Sequence, residues 1–462
     1  MSSIAEQIAN LEKELEKCPG GYISRKIING RERFYLQWIE DGKIKSKYIK
    51  ADELDKVRAF VDHRHDILKR LRELKATPEG IKTDNLKRKT VRNMKTITGT
   101  LMSEDVPVAT VKNGIITALD ETLVPLYLKR TKDVEGWLAS RAIDTHRTNS
   151  RLLKKALRLH TTDDVSTALA VNAATVTDRY WFRPEGSTAT YEDIRFKENY
   201  FADLALRGDP DSFSRKPSRT PELTNTGSFE KCWKLIDGKW WMYKSGNRDE
   251  LFSELFICKL GEKLGLPMAH YELDGEYIRS VDFTDGASVY FEPMRSLVDD
   301  NEDYEKCFAV LYDISPEIAR QYLVLIWLDS ICYNMDRHTE NFGLLRDAKT
   351  GTILSLAPNF DNNIALIAKG YPKDVSRAHD GLIRFFRELL ASCETAREMI
   401  RQTVLPEITD AVIDECLNEI PIEVDRDFMH SFVMNGQTVL RKIIDEGEGL
   451  SGDSDDLGGL ML

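Results

Sequence analysis

Two short apolar runs joined by a tight turn constrain this chain more than any other stretch. From Asp329 to Asp361 it reads DSICYNMDRHTENFGLLRDAKTGTILSLAPNFD. FGLL and ILSLA flank the turn-rich DAKTG, the pattern of an antiparallel hairpin. A hairpin brings its two ends together, so Asn341 and Asp361 are expected side by side although twenty residues separate them. Asp336, five positions before Asn341, follows a long apolar segment and sits in the loop that feeds the first strand. Three oxygen-bearing side chains should therefore converge at one edge.

Phosphoryl transfer needs such a set. One carboxylate orients the attacking hydroxyl and accepts its proton, while an amide oxygen and a second carboxylate hold Mg²⁺ against the phosphates of ATP. Asp, Asn and Gly are also turn residues, and NMD or NFDNN taken singly reads as a turn. The three residues at this spacing, in one stretch, favour the chemical reading.

The run Asp336-Arg337-His338-x-x-Asn341, followed by a hairpin and a second Asp, resembles the HipA-like serine/threonine kinases. Phosphatidylinositol kinases carry a similar run, and the Asp-to-Asn spacing is also that of the ordinary protein-kinase catalytic loop. The resemblance spans roughly residues 94–445 and is most specific in this stretch. It implies an α+β, two-lobed protein-kinase-like fold of HipA type and a serine/threonine kinase that uses ATP and Mg²⁺ on a protein substrate. Asp336 would be the catalytic base, with Asn341 and Asp361 as metal ligands. Arg337 and His338 belong to the motif, but no chemistry is assigned to them.

A second informative region is TNTGSFEKCWKLIDGKWWMYK, residues 224–244. CWKLI and KWWMYK flank Asp237-Gly238 and read as another hairpin, with Thr226, Gly227 and Ser228 at its entrance. A loop of small residues lets backbone N–H groups approach phosphate oxygens. Lys244 ends the second strand, on the face of Trp240 and Met242. Residues 247–264 form a helix on which Glu254 shares a stripe with Cys258 and Gly261, while Lys259 and Lys263 face solvent. From the residues alone, Lys244 is equally a strand-end lysine reaching water, and Glu254 equally one of an acidic stripe with Glu250. The HipA-like resemblance pairs a strand lysine with a glutamate on the next helix, and Lys244 and Glu254 occupy those places. It likewise marks Glu292 and Met294, in the strand ASVYFEPM, as candidate adenine contacts through the backbone. Some HipA-like kinases phosphorylate their own phosphate loop and eject it, so Thr226 or Ser228 is a candidate switch residue; a toxin-like role comes with the same resemblance.

Charge divides the chain. The first hundred residues carry 23 Lys+Arg against 15 Asp+Glu, whereas the whole chain of 462 residues has a net charge of −11. Residues 1–75 read as a basic module with strand-like runs YISRKII, RFYLQWI and IKSKYI, turns at Asn29-Gly30 and Asp41-Gly42, and a helix. Its basic set is Arg25, Lys26, Arg31, Arg33, Lys43, Lys45, Lys47 and Lys50, interleaved with Tyr22, Tyr35, Trp38 and Tyr48. Small β-sheet readers of DNA share this composition, so a nucleic-acid partner for residues 1–93 stands beside a plain solvated basic face.

The remaining expected divisions are a linker at 76–93, an N-terminal subdomain of the kinase region at 94–180, a small lobe at 181–292, a large helical lobe at 293–445 and a disordered acidic tail at 446–462. Within 133–171 and just beyond, TTDDVSTALAVNAATVTDRYWF reads as helix-loop core, with a helix-turn-helix as the alternative. The seven scattered cysteines form no C-x-x-C pair, and the longest apolar run, YLVLIWL, is too short to span a bilayer. The N-terminus lacks the basic start and apolar core of a signal peptide, so a cytoplasmic protein without a membrane partner is expected. Two other functions fit less of the pattern: a kinase acting on a lipid or small molecule, and a nucleic-acid-binding regulator whose kinase-like domain only senses nucleotide.

Overall fold

The computed structural model describes residues 97–446 apart from 146, 160–162 and 228. Before that it describes 22–28, 31–40, 43–50 and single positions between 7 and 15 and between 53 and 70. The acidic tail beyond 446 and the whole of the expected linker lie outside these residues. The chain divides into two compact units, Met1–Lys95 and Thr96–Leu462.

The first unit contains the expected meander. Strands β1 (Tyr22–Ile28), β2 (Arg31–Glu40) and β3 (Lys43–Ile49) pair antiparallel in that order. The Asn-Gly and Asp-Gly dipeptides fall between the strands but outside the described residues. Tyr35 and Tyr48 stack edge-on across β2 and β3, with ring centroids 5.5 Å apart. Arg33, Lys45, Lys47 and Lys50 are exposed, whereas Ile49, Val61 and Ile67 are buried.

Among the described residues the second unit holds three sheets and a large set of helices, a mixed α/β architecture. Its first sheet orders β6-β5-β4-β7, from β4 (Gly99–Ser103), β5 (Val106–Lys112), β6 (Ile115–Ala118) and β7 (Tyr180–Pro184). The segment with a helix-turn-helix alternative supplies core instead: Ala168, Val171, Ala173, Ala174 and Val176 are all buried. The second sheet orders β10-β11-β9-β8, from β8 (Lys231–Ile236), β9 (Lys239–Lys244), β10 (Tyr271–Asp274) and β11 (Tyr277–Val281). The helix Arg248–Lys263 follows β9.

The third sheet, β12-β13-β14, contains the hairpin read from the sequence: β13 (Gly343–Asp347) and β14 (Ile353–Leu356), with β12 (Val289–Pro293) alongside β13. Leu344 faces Leu356, and a bulge lies between Leu345 and Arg346. Asp347 closes the turn by accepting from the backbone N–H of Lys349 and Thr350. Gly351 has φ +69°, and a β-carbon there would stand 2.0 Å from the carbonyl oxygen of Thr122, so only glycine fits.

One boundary shifts. The expected small lobe ends with the 289–293 strand, but that strand pairs with β13 and not with the β8–β11 sheet. Across that pairing Glu292 of β12 meets Arg346 of β13, and both side chains are almost wholly excluded from solvent. Helices Tyr304–Ile314, Pro316–Ile331, Gly381–Ser392, Glu394–Gln402, Asp410–Glu419 and Arg426–Glu446 make up the C-terminal part. Among the described residues no helix is long and apolar enough to cross a membrane.

Candidate active site

The loop between the helix Pro316–Ile331 and β13 is held by one guanidinium. Arg337 makes a two-pronged ion pair with buried Asp329, at 2.8 and 3.0 Å. It also donates to the carbonyls of Asn341 and Phe360, at 2.6 and 2.7 Å, and to the side-chain oxygens of Asn359 and Asn362. Arginine's planar fork suits several fixed acceptors at once. Loop and hairpin exit are thereby tied together, so that Asp336, Asn341 and Asp361 line one cavity of about 650 Å³. The sequence shows Arg337 in the motif but not what it does there, because its partners lie up to 25 residues away.

Within the loop, Asn341 donates its amide N–H to the carbonyl of Asp336 at 2.9 Å. The amide nitrogen is thus used, and the amide oxygen is the atom left for a cation. Asp361 has φ +62°, a left-handed conformation that Asp tolerates better than most residues and that recurs at functional sites.

Lys244 meets this group from the other side. Its ammonium lies 2.7 Å from Asp361 Oδ1, 3.2 Å from Glu254 Oε2 and 3.1 Å from the hydroxyl of Tyr271. The side chains of Lys244 and Glu254 are 8% and 0% exposed, so the strand-end reading of the lysine does not hold. Glu254 is fixed further by the backbone N–H of Asn362, at 2.8 Å. Glu250 is engaged elsewhere. It closes a capping box with Asn247 at the start of the helix, an arrangement worth about 1 kcal/mol. Lys259 and Lys263, expected in solvent, pair with Glu419 and with Glu415 and Glu419 of the 410–419 helix.

Burial and mutual attraction compete at every ionisable group. Burial lowers the proton affinity of the Lys244 ammonium, but Asp361 and Glu254 outweigh it and hold the group well above the usual lysine range. Burial raises the Asp361 carboxyl, yet Lys244 and Lys231 outweigh it and keep it well below the usual carboxylate range. At Glu254 burial wins over Lys244 and the carboxyl is raised. Asp336 is raised by burial, with Asp361 adding to the effect and His338 opposing it.

Two further site features leave no recognisable pattern in the sequence. Lys231, the first residue of β8, lines the cavity beside Thr226 and Gly227. A β-carbon on Gly227 would stand 2.4 Å from the Lys231 ammonium, so the loop glycine makes room for this second cation. Burial and neighbouring Lys244, against the pull of Asp361, bring Lys231 down to about 8. Phe283, Phe291 and Phe360 form an aromatic wall of the cavity, their ring centroids 5.4 to 5.7 Å apart. Phenylalanines scattered this widely along the chain give no local signal to find.

The two expected adenine contacts fare differently. Glu292 lines the cavity, but its carboxylate is occupied by Arg346 and by the backbone N–H of Leu126. Met294 is fully buried among the core side chains, and its N–H donates to the carbonyl of Phe342. It is not among the residues that line the cavity: it sits at the start of a short helix, Arg295–Val298, while its neighbours Pro293 and Arg295 do line it. Thr226 and Gly227 line the cavity, and Ser228 lies outside the described residues.

The cavity could bind a divalent cation. Asp336, Asp361 and the Asn341 amide line it with oxygen donors, and Glu254, behind the lining, shares the Lys244 ammonium with Asp361. Hard oxygen donors suit Mg²⁺, which needs few protein ligands.

Residues 1–59 match the family model of a domain of unknown function, DUF6788. Among curated proteins, none matches the chain by sequence. A proinflammatory kinase of Helicobacter pylori, CtkA, is similar in structure over 47% of this chain and 94% of its own, at TM-score 0.40 and 15% identity. HipA of Shewanella oneidensis MR-1, from a toxin–antitoxin complex with HipB and operator DNA, is similar over 76% of this chain and 99% of its own, at TM-score 0.45 and 13% identity.

Proposed function

We propose that the second unit is an ATP- and Mg²⁺-dependent serine/threonine protein kinase of HipA-like type. One observation carries the reading: a single buried ammonium, Lys244, bridges Glu254 and Asp361 in the cavity that Asp336 and Asn341 also line. A purely structural ion pair has no need of a cavity, a second carboxylate on the same ammonium, or a loop clamped by Arg337.

In this reading Asn341 and Asp361 hold the metal, and Lys244 and Lys231 take the phosphates beneath the loop containing Thr226 and Gly227. Phe283, Phe291 and Phe360 cover the base. Bound Mg²⁺ neutralises phosphate charge and so lowers the cost of transfer. Asp336 orients the acceptor hydroxyl and takes its proton; burial, which raises its proton affinity, makes it a better base than a free aspartate. Glu254 fixes Lys244 in place. Asp361 would hold the metal while it stands against Lys244, so nucleotide and metal are expected to bind cooperatively.

Calorimetric titration with ATP tests this. Wild-type protein should bind ATP more tightly with Mg²⁺ than without it, and Asp361→Asn should remove that gain. A metal dependence that survives Asp361→Asn would contradict the assignment. Intact-mass measurement after incubation with ATP and Mg²⁺ tests the loop-switch idea, since added phosphate should map to Thr226 or Ser228.

A further inference from the structure

A second cavity, of about 570 Å³, adjoins the first and shares Asp336 and His338 with it. Its apolar wall includes Met335 and Phe385, each 45% exposed. Its remaining rim is acidic, with Glu302, Asp303, Glu305 and Glu388. The one Lys or Arg among its described lining residues is Arg337, whose guanidinium is fully occupied by Asp329, Asn359, Asn362 and two carbonyls. Other groups compensate the rim weakly. Asp303 caps its helix by accepting from the Lys306 N–H, and Glu305 accepts from the Ser392 hydroxyl. Glu388 lies 3.7 Å from Arg384, with both side chains more than 60% exposed, a contact of little strength.

We propose that this groove receives the phosphate acceptor, and that the acceptor is a Ser- or Thr-bearing peptide segment with Lys or Arg beside the hydroxyl and an apolar side chain to rest on Phe385 and Met335. The inference rests on the kinase reading above. With nucleotide in the first cavity, an acceptor hydroxyl must reach Asp336 from its other side, and the groove opens there. Four rim carboxylates repel an acidic segment and attract a basic one. Two large exposed apolar side chains at the same place offer an anchor that a lone sugar or small metabolite would leave uncovered.

The test uses the full chain and three synthetic peptides with the same central Ser and neighbouring Leu, flanked by Arg, by Gln or by Glu. Two readouts are taken: transfer from radiolabelled ATP, and binding of the fluorescein-labelled peptides by anisotropy. The Arg peptide should be favoured over the Glu peptide by about tenfold or more in both, and the preference should shrink with added salt. Glu302→Gln with Glu388→Gln should lower that ratio several-fold, and Phe385→Ala should weaken all three peptides alike. Equal use of the three peptides, or a ratio unmoved by the double substitution, would overturn the groove assignment while leaving the kinase reading intact. Binding of the Arg peptide with transfer to none of the three would support the groove and count against the kinase.

Discussion

The buried groups of the site set its expected pH behaviour. Asp336 is raised by burial and by Asp361, against His338. A base works only when deprotonated, so activity should be present above its pKa and fall as pH drops through it. The acidic limb of kcat/KM is therefore expected above the ordinary aspartate value of about 3.9. An activity that stays flat down to that value would argue against Asp336 as the base. At this scale sequence is informative where function demands a residue type at a spacing. Asp336, Asn341 and Asp361 are legible because an acid, an amide and an acid recur around a hairpin. Arg337 stands in the same motif, but its role depends on Asp329, Phe360 and Asn362, which only the folded chain brings within reach. Lys231 is not legible, because one more lysine at the start of a strand is indistinguishable from a solvated one.

Among the elements, the β13–β14 hairpin is the most dependable inference from sequence, since alternation and turn chemistry both point to it. The strand before it is harder. The pattern VYFEP gives β12 but not its partner strand: Glu292 faces Leu344 in register and reaches Arg346 diagonally, a pair that leaves no periodic trace in the sequence. That pair is costly to break. Arg346 also donates to the carbonyls of Thr122, Val124 and Gly351, so it fastens the hairpin to the segment ahead of the Leu126–Thr131 helix. Arg346→Met should leave Glu292 buried without its partner and cost roughly 3–5 kcal/mol. Urea unfolding followed by circular dichroism would show this as a lower midpoint at unchanged slope. A change under about 1 kcal/mol would mean that the pair is dispensable.

At the scale of the molecule, the change in charge near residue 100 anticipates a division that falls between Lys95 and Thr96. Each unit has its own buried apolar residues, Ile49, Val61 and Ile67 in the first and several large clusters in the second. Residues 96–462 produced alone should therefore unfold in one cooperative transition, as seen by calorimetry. A broad, non-cooperative melt would show that the second unit depends on the first. Charge suggests where to divide the chain but not how β4–β7 and their helices pack, because β4 and β7 pair across a long stretch of sequence, with Gly99 facing Pro184.

In the proposed kinase Asp336 serves the chemistry, while Asn341, Asp361 and Lys244 serve the nucleotide. Transfer of radiolabel from the γ-position of ATP into a whole-cell lysate, comparing wild-type protein with Asp336→Asn, tests it most directly when ATP affinity is measured on the same samples. Wild-type protein should give labelled protein bands, Asp336→Asn none above background, and the two should bind ATP within about twofold of each other. Full labelling by Asp336→Asn would contradict that role for Asp336.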